Sequence, residues 1–122
     1  MKNKFWEDFI IEGTEDYVGL WQIICRFHQA HPQANELEIQ SMTLEAIREI
    51  LKTGFMKIGM FKCVYDKKLE YQIWDLDIDN IINRIKTEWN ELGREPNIGD
   101  VAWLITTEKG IEKAKRLLKE RK

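Results

Sequence analysis

The amino-acid sequence predicts an α+β fold: one mainly helical domain over residues 1–122, with a small antiparallel sheet built from a hairpin at about 55–74 and a strand at about 101–106. Three observations lead there. Several segments repeat apolar residues at the three-to-four spacing of a helix face. The stretch after Gly54 switches to alternation, the period of a strand. The length of 122 residues, 43% of them hydrophobic, supports a single modest core.

The elements follow in order. "NKFWEDFII" reads as a short helix or an arm that lays Phe5, Trp6 and Phe9 on the core. The first long helix is expected over residues 14–29, where Tyr17, Leu20, Trp21, Ile24, Phe27 and His28 share one face, Ile23 adds a second apolar side, and Gly19 marks a close approach by another backbone. "HPQAN" breaks it. A second helix spans 36–52, either whole or in two pieces that join near 41–43, with Leu44, Ile47, Ile50 and Leu51 inward and Gly54 at its end. "FMKIGMFKCVYDKKLEYQIWD" then reads as a hairpin. Met56, Ile58 and Met60 alternate on one strand and Leu69, Tyr71 and Ile73 on the other, around a turn at 66–68. Ile78, Ile81, Ile82, Ile85, Trp89 and Leu92 form an unbroken helical stripe, capped by Asp77 and ended by Gly93. "REPNIGD" connects to the strand "VAWLIT", in which Trp103 and Ile105 share a face. Thr106 or Thr107 caps a last helix docked by Ile111, Ala114, Leu117 and Leu118, and Gly110 lets that helix pack close.

Composition narrows the function classes. No run approaches the roughly 18 apolar residues of a membrane span, and Glu7 and Asp8 fall where a signal peptide needs its apolar stretch, so a cytoplasmic location away from membranes is expected. Cys25 and Cys63 fit reduced thiols buried as small hydrophobes. The net charge of −2 is unevenly spread: residues 1–54 carry five bases against nine acids, 55–107 seven against nine, and 108–122 seven against three. A basic tail could touch phosphates or an acidic partner, although cations near a helix C-terminus also suit its dipole.

Motifs for catalysis are missing: there is no G-x-S-x-G, P-loop, G-x-G-x-x-G or H-E-x-x-H. "DLDIDN" offers Asp75, Asp77 and Asp79 in the pattern of a calcium loop, but Asn80 and Lys86 stand where that loop needs Gly and Glu, which leaves acids gathered at a helix N-terminus. Cys25, His28 and His31 are spaced as C-x2-H-x2-H, with no second Cys/His pair to complete a zinc site and no acid on that face to orient a nucleophile. The expectation is a core cysteine, a buried hydrogen-bonded histidine, no metal, no cofactor and no catalysis.

The order helix, helix, "REILKTGFMKIGMF", hairpin, late strand and "TTEKG" resembles a winged-helix domain, with an extra helix at Ile78–Leu92 between wing and final strand. The resemblance implies DNA binding as one reading. It would make 43–52 the recognition helix and Lys67 and Lys68 the wing tip. Glu45, Arg48, Glu49 and Lys52 would then face the groove with zero net charge, which is poor complementarity for phosphates.

As a small acidic single domain without chemistry, and in "GLW" and "EWNELGREPNIGDVAWLITTEKG", the chain is also similar to bacterial immunity proteins of contact-dependent inhibition and related polymorphic toxin systems. That resemblance implies a protein that binds and blocks a cognate toxin domain, often a basic nuclease, inside the producing cell. An acidic surface steers a basic partner and repels wrong ones. The expected contact residues are drawn from Glu15, Asp16, Glu36, Glu38, Glu45 and Glu49. A toxin-binding role is thus the first expectation, and a winged-helix transcriptional regulator the alternative.

Overall fold

The computed structural model describes residues 6–63 and 69–121. Its elements run α1 (Trp6–Glu12), β1 (Val18–Gly19), α2 (Leu20–Ala30), α3 (Glu36–Thr53), β2 (Met56–Cys63), β3 (Leu69–Ile73), α4 (Ile78–Leu92), β4 (Trp103–Thr106) and α5 (Glu108–Glu120). The strands form one antiparallel sheet in the order β1-β4-β2-β3. This is an α+β domain, mainly helical, as expected. Helices α2 and α3 precede the hairpin β2–β3. The late strand β4 completes the sheet by entering between β1 and β2.

Local chemistry sets most helix ends. Asn35 caps α3: the Glu38 N–H donates to Asn35 Oδ1 at 2.9 Å while the Asn35 N–H donates to Glu38 Oε1 at 3.0 Å, a reciprocal pair that satisfies two otherwise orphaned donors. Asp77 caps α4 and Thr107 caps α5 through the same side chain-to-backbone bond. Gly54 and Gly93 end α3 and α4 with left-handed φ of 76° and 69°, where any Cβ would be strained. The second helix is one piece. Its buried positions Ile39, Thr43, Ala46, Ile47 and Ile50 keep a single stripe through the expected break.

The first long helix starts later than its periodicity predicts. Gly19 is extended (φ −77°, ψ 150°), its N–H donates to Gln22 Oε1 at 2.6 Å, and with Val18 it pairs with β4. The helix therefore begins at Leu20, because Leu104 and Trp103 of β4 supply backbone partners that the helical pattern could not reveal. Leu20, Ile23 and Ile24 are its buried positions.

The sheet separates two faces. Val18, Met56, Ile58 and Leu104 face the helices with Thr106, whose Oγ1 donates to the Ile10 carbonyl at 2.7 Å. Their neighbours in register, Gly59, Phe61, Tyr71 and Trp103, face the other way. Trp103 and Ile105 do share a face, as expected, but it is the outer one. Leu69, Tyr71 and Ile73 alternate on one face of β3 as expected, and Leu69 and Ile73 are 72% and 49% exposed. On α5, Ala114 and Leu117 are buried beside Gly110, whereas Ile111 and Leu118 stay exposed at 37% and 48%. Gly110 and Ala114 bring α5 close to its neighbours with Leu117, while Ile111 and Leu118 are turned out. Phe5, the turn at 66–68, Lys67, Lys68 and the Cys63 side chain lie outside the described residues.

Candidate partner-binding surface

Helix α3 positions most of the predicted contact acids. Its buried stripe faces α2, α4 and β2. Glu38, Glu45 and Glu49, separated by seven and then four residues, fall on one line opposite that stripe, and all three are exposed. Glu36 lies in the first turn of α3 but on another side of the helix, where it borders a shallow groove with Leu37, Trp89 and Arg94. Glu15 and Asp16 stand apart in the turn between α1 and β1, and Asp16 Oδ1 accepts the Tyr17 N–H at 2.8 Å. The six acids thus form three groups: the α3 row, Glu36 beside a groove, and the pair in the turn.

Two members of the row have structural duties as well. Glu38 closes the α3 cap, and Glu49 Oε1 accepts the Trp6 indole N–H at 3.3 Å. Among the described residues, none of the six acids is paired with a cation. Some acids elsewhere are paired: Arg26 binds Asp8 and Glu12, Arg121 binds Asp8, and Arg94 binds Asp100. Arg48, expected to point outward from α3, turns instead to Asp79 of α4. The guanidinium holds the Asp79 carboxyl below the usual carboxylate range, first by its hydrogen bond and then by its charge. With Arg48 drawn aside, the outward face of α3 is left more acidic than the sequence implied. Lys52 stands at the last turn, and Lys86 of α4 borders a groove with Glu45.

Beside this row, Leu37 is 77% exposed. It borders the groove with Glu36, Trp89 and Arg94 and a second one with Ser41, Glu45, Arg48 and Lys86. An exposed apolar side chain among charged groups of both signs, next to the acid row, is suited to a partner that presents an apolar pocket with Lys or Arg on the side facing the row. The spacing of Leu37 on α3 carried this signal. Reading α3 by its charges alone missed it.

A groove of about 440 Å³ is lined by Leu51, Met56, Ile58, Trp74, Leu76, Ile81 and neighbours. Its ionisable side chains are Lys57 and Asp75, and its chemistry is that of an apolar cleft. Cys25, expected in the core, is exposed, because α2 turns Leu20, Ile23 and Ile24 inward and leaves position 25 outside the stripe. His28 is half-buried and lies 2.6 Å from Glu95 Oε2, while the His31 ring stacks on Phe27. These contacts turn the two histidines to different neighbours. No group of three or more His, Cys, Asp or Glu among the described residues is placed to hold a metal ion.

The outer sheet face holds a second feature absent from the expectations. Tyr17, Phe61, Tyr71 and Trp103 form a ring cluster with centroids 4.7–5.9 Å apart. Tyr71 Oη donates to the Trp103 carbonyl at 2.8 Å. Burial, and secondarily Tyr17, push the Tyr71 phenol well above its ordinary value. The continuous apolar run in "VAWLIT" was the available signal, since a strand apolar on both faces is covered on both. No helix of the described residues is long and apolar enough to cross a membrane. Comparison with protein-family models, curated proteins and solved structures gives no match.

Proposed function

We propose that this chain is a non-catalytic binding protein that holds a basic protein partner, in the manner of an immunity protein that neutralises a cognate toxin domain in the cytoplasm of the producing cell. The observation that supports this reading is the unpaired acid row of α3, Glu38, Glu45 and Glu49, beside exposed Leu37. Carboxylates without internal counter-ions keep their field for a partner, where they raise the association rate and exclude acidic competitors. Leu37 supplies the apolar contact that such steering lacks. Its exposure gives it little to do for the fold.

The test is affinity capture from the native host, washed at low and then moderate salt, with protein and nucleic acid both analysed. One stoichiometric basic protein, toxic when expressed alone, is expected. The variant E38Q/E45K/E49Q keeps an acceptor at positions 38 and 49 and so spares the cap and the Trp6 bond. It should bind that protein at least about tenfold more weakly, with a shallower salt dependence. L37A should weaken binding while shifting stability by less than about 0.5 kcal/mol. Full affinity in both variants would remove α3 from the interface. Recovery of DNA of defined sequence, lost as salt rises, would instead establish a winged-helix regulator.

A further inference from the structure

We infer that the free edge of β3 pairs with β3 of a second copy, making an antiparallel dimer with Tyr71 opposite Tyr71 of the partner. This is independent of the acidic row on α3.

The hydrogen-bond phase of the hairpin decides which backbone groups of β3 face the edge. The Trp74 N–H donates to the Ile58 carbonyl at 3.0 Å, which places Trp74 among the β3-side residues whose backbone faces β2. Backbone polarity alternates along an antiparallel strand. Gln72 and Glu70, opposite Met60 and Lys62, therefore also turn their N–H and C=O toward β2. Leu69, Tyr71 and Ile73 turn theirs to the edge, which is open among the described residues because β3 is the last strand of the sheet.

The side chains of that same odd-numbered set are the ones that need cover. Leu69 and Ile73 are 72% and 49% exposed, a costly pair to leave on an edge strand. Native edges are normally guarded by charge or proline. "LEYQI" offers only Glu70, and Lys62 stands across from it on β2 of the same molecule. A two-fold axis through Tyr71 sets Leu69 against Ile73 of the partner twice and Glu70 against Gln72 of the partner twice. Apolar groups meet apolar groups, and each carboxylate meets a neutral amide that can donate to it. Moving the axis to Glu70 would set the two carboxylates face to face. The Tyr71 register is thus chosen by charge as well as by shape. It also brings together two hydrogen-bond-competent sets that are in phase.

Sedimentation equilibrium of the full chain over a concentration series tests the dimer. The expected mass rises from the 14.6 kDa monomer to twice that value. L69K/I73K places like charges opposite each other across the axis and should weaken association at least about tenfold, with an unchanged far-ultraviolet circular dichroism spectrum. L69K/I73E makes each lysine face a glutamate of the partner and should restore the dimer. Amide exchange of Leu69, Tyr71 and Ile73 should slow as concentration rises, while that of Gln72 stays constant. A monomer throughout the series, a dimer that survives L69K/I73K, or a failure of L69K/I73E to recover it would each overturn the proposal.

Discussion

At single residues the packing around α5 and the outer sheet face give effects of definite sign. Gly110 occupies the first turn of α5, where its N–H donates to Thr107 Oγ1 at 3.1 Å. On helix propensity alone, alanine there would stabilise the protein by about 1 kcal/mol. A Cβ at this position would overlap the Phe55 carbonyl oxygen, however, and backbone cannot swing aside as a long side chain can. Steric conflict wins: G110A should lower the unfolding free energy by about 1–3 kcal/mol in urea titrations, and an increase would mean that α5 slides freely on the turn after α3. Tyr71 gives a residue-level pH effect. Its phenol is raised by burial and by Tyr17, so the neutral form is the one the fold favours. Its contribution is complete below the ordinary tyrosine value of about 10 and is lost as pH rises through the higher folded value. Chemical denaturation between neutral pH and strongly alkaline pH should show stability falling above that point, and Y71F should flatten the fall. An equal slope in Y71F would assign it to other groups.

At the scale of elements, the junction of α3 with α4 is the most informative. Arg48 and Asp79 tie the two helices on their exposed side, and Gln40 Nε2 donates to Asn90 Oδ1 at 3.0 Å farther along. Because the Asp79 carboxyl is depressed when folded, its stabilisation exists above the unfolded carboxylate range and disappears as pH falls through the lower folded value. Thermal unfolding from pH 6 to pH 2 should therefore show a loss that D79N reduces, and identical profiles for the two proteins would assign the loss to other carboxylates. The same elements show what the sequence discloses. Helix α4 was legible throughout, because one stripe from Ile78 to Leu92 coincides with a capping Asp77 and a terminating Gly93. Local pattern and local chemistry agree there. Residues 18–19 were not legible, because their extended form depends on β4, more than eighty positions away. The outward turn of Leu69 and Ile73 was hidden for a related reason: alternation gives the two faces of a strand but not which one meets the core. For the acid row, the sequence located exposed carboxylates on α3. It could not show that Arg48 bonds to Asp79 of α4 and forms no ion pair with the row.

On the scale of the whole molecule, the chain is closed by contacts between its first and last helices. Helix α5 packs on α1 and β4. Arg121 near the end of α5 donates to Asp8 at 2.9 Å, and Thr106 reaches Ile10 just before α5 begins. Trp6, Phe9 and Ile10 of α1 and Ala114 of α5 belong to the same core cluster as Ile39, Ile47 and Ile50 of α3 and Leu104 of β4. The cluster thus joins both terminal helices to the sheet and α3. The basic residues of α5 follow the same logic. Lys109 Nζ donates to the Thr53 carbonyl at the end of α3 at 3.2 Å, and Arg121 holds α1, so part of the positive tail serves to fasten neighbouring elements. Each exposed pair is worth little, about 0.2–1 kcal/mol, so the apolar contacts of Ala114 and Leu117 carry the attachment. Deletion of residues 108–122 should accordingly do more than trim an end. It uncovers α1 and one side of β4, and cooperative unfolding should be lost. The truncated chain should keep much of its far-ultraviolet circular dichroism, lose its near-ultraviolet tryptophan signal, and bind a hydrophobic dye. A truncated chain with a sharp urea transition would show instead that α2, α3, α4 and the sheet form a core sufficient by themselves. The single-point variants D8N and R121M should leave the transition sharp and move its midpoint only slightly, which separates the role of the surface pair from that of the buried contact beneath it.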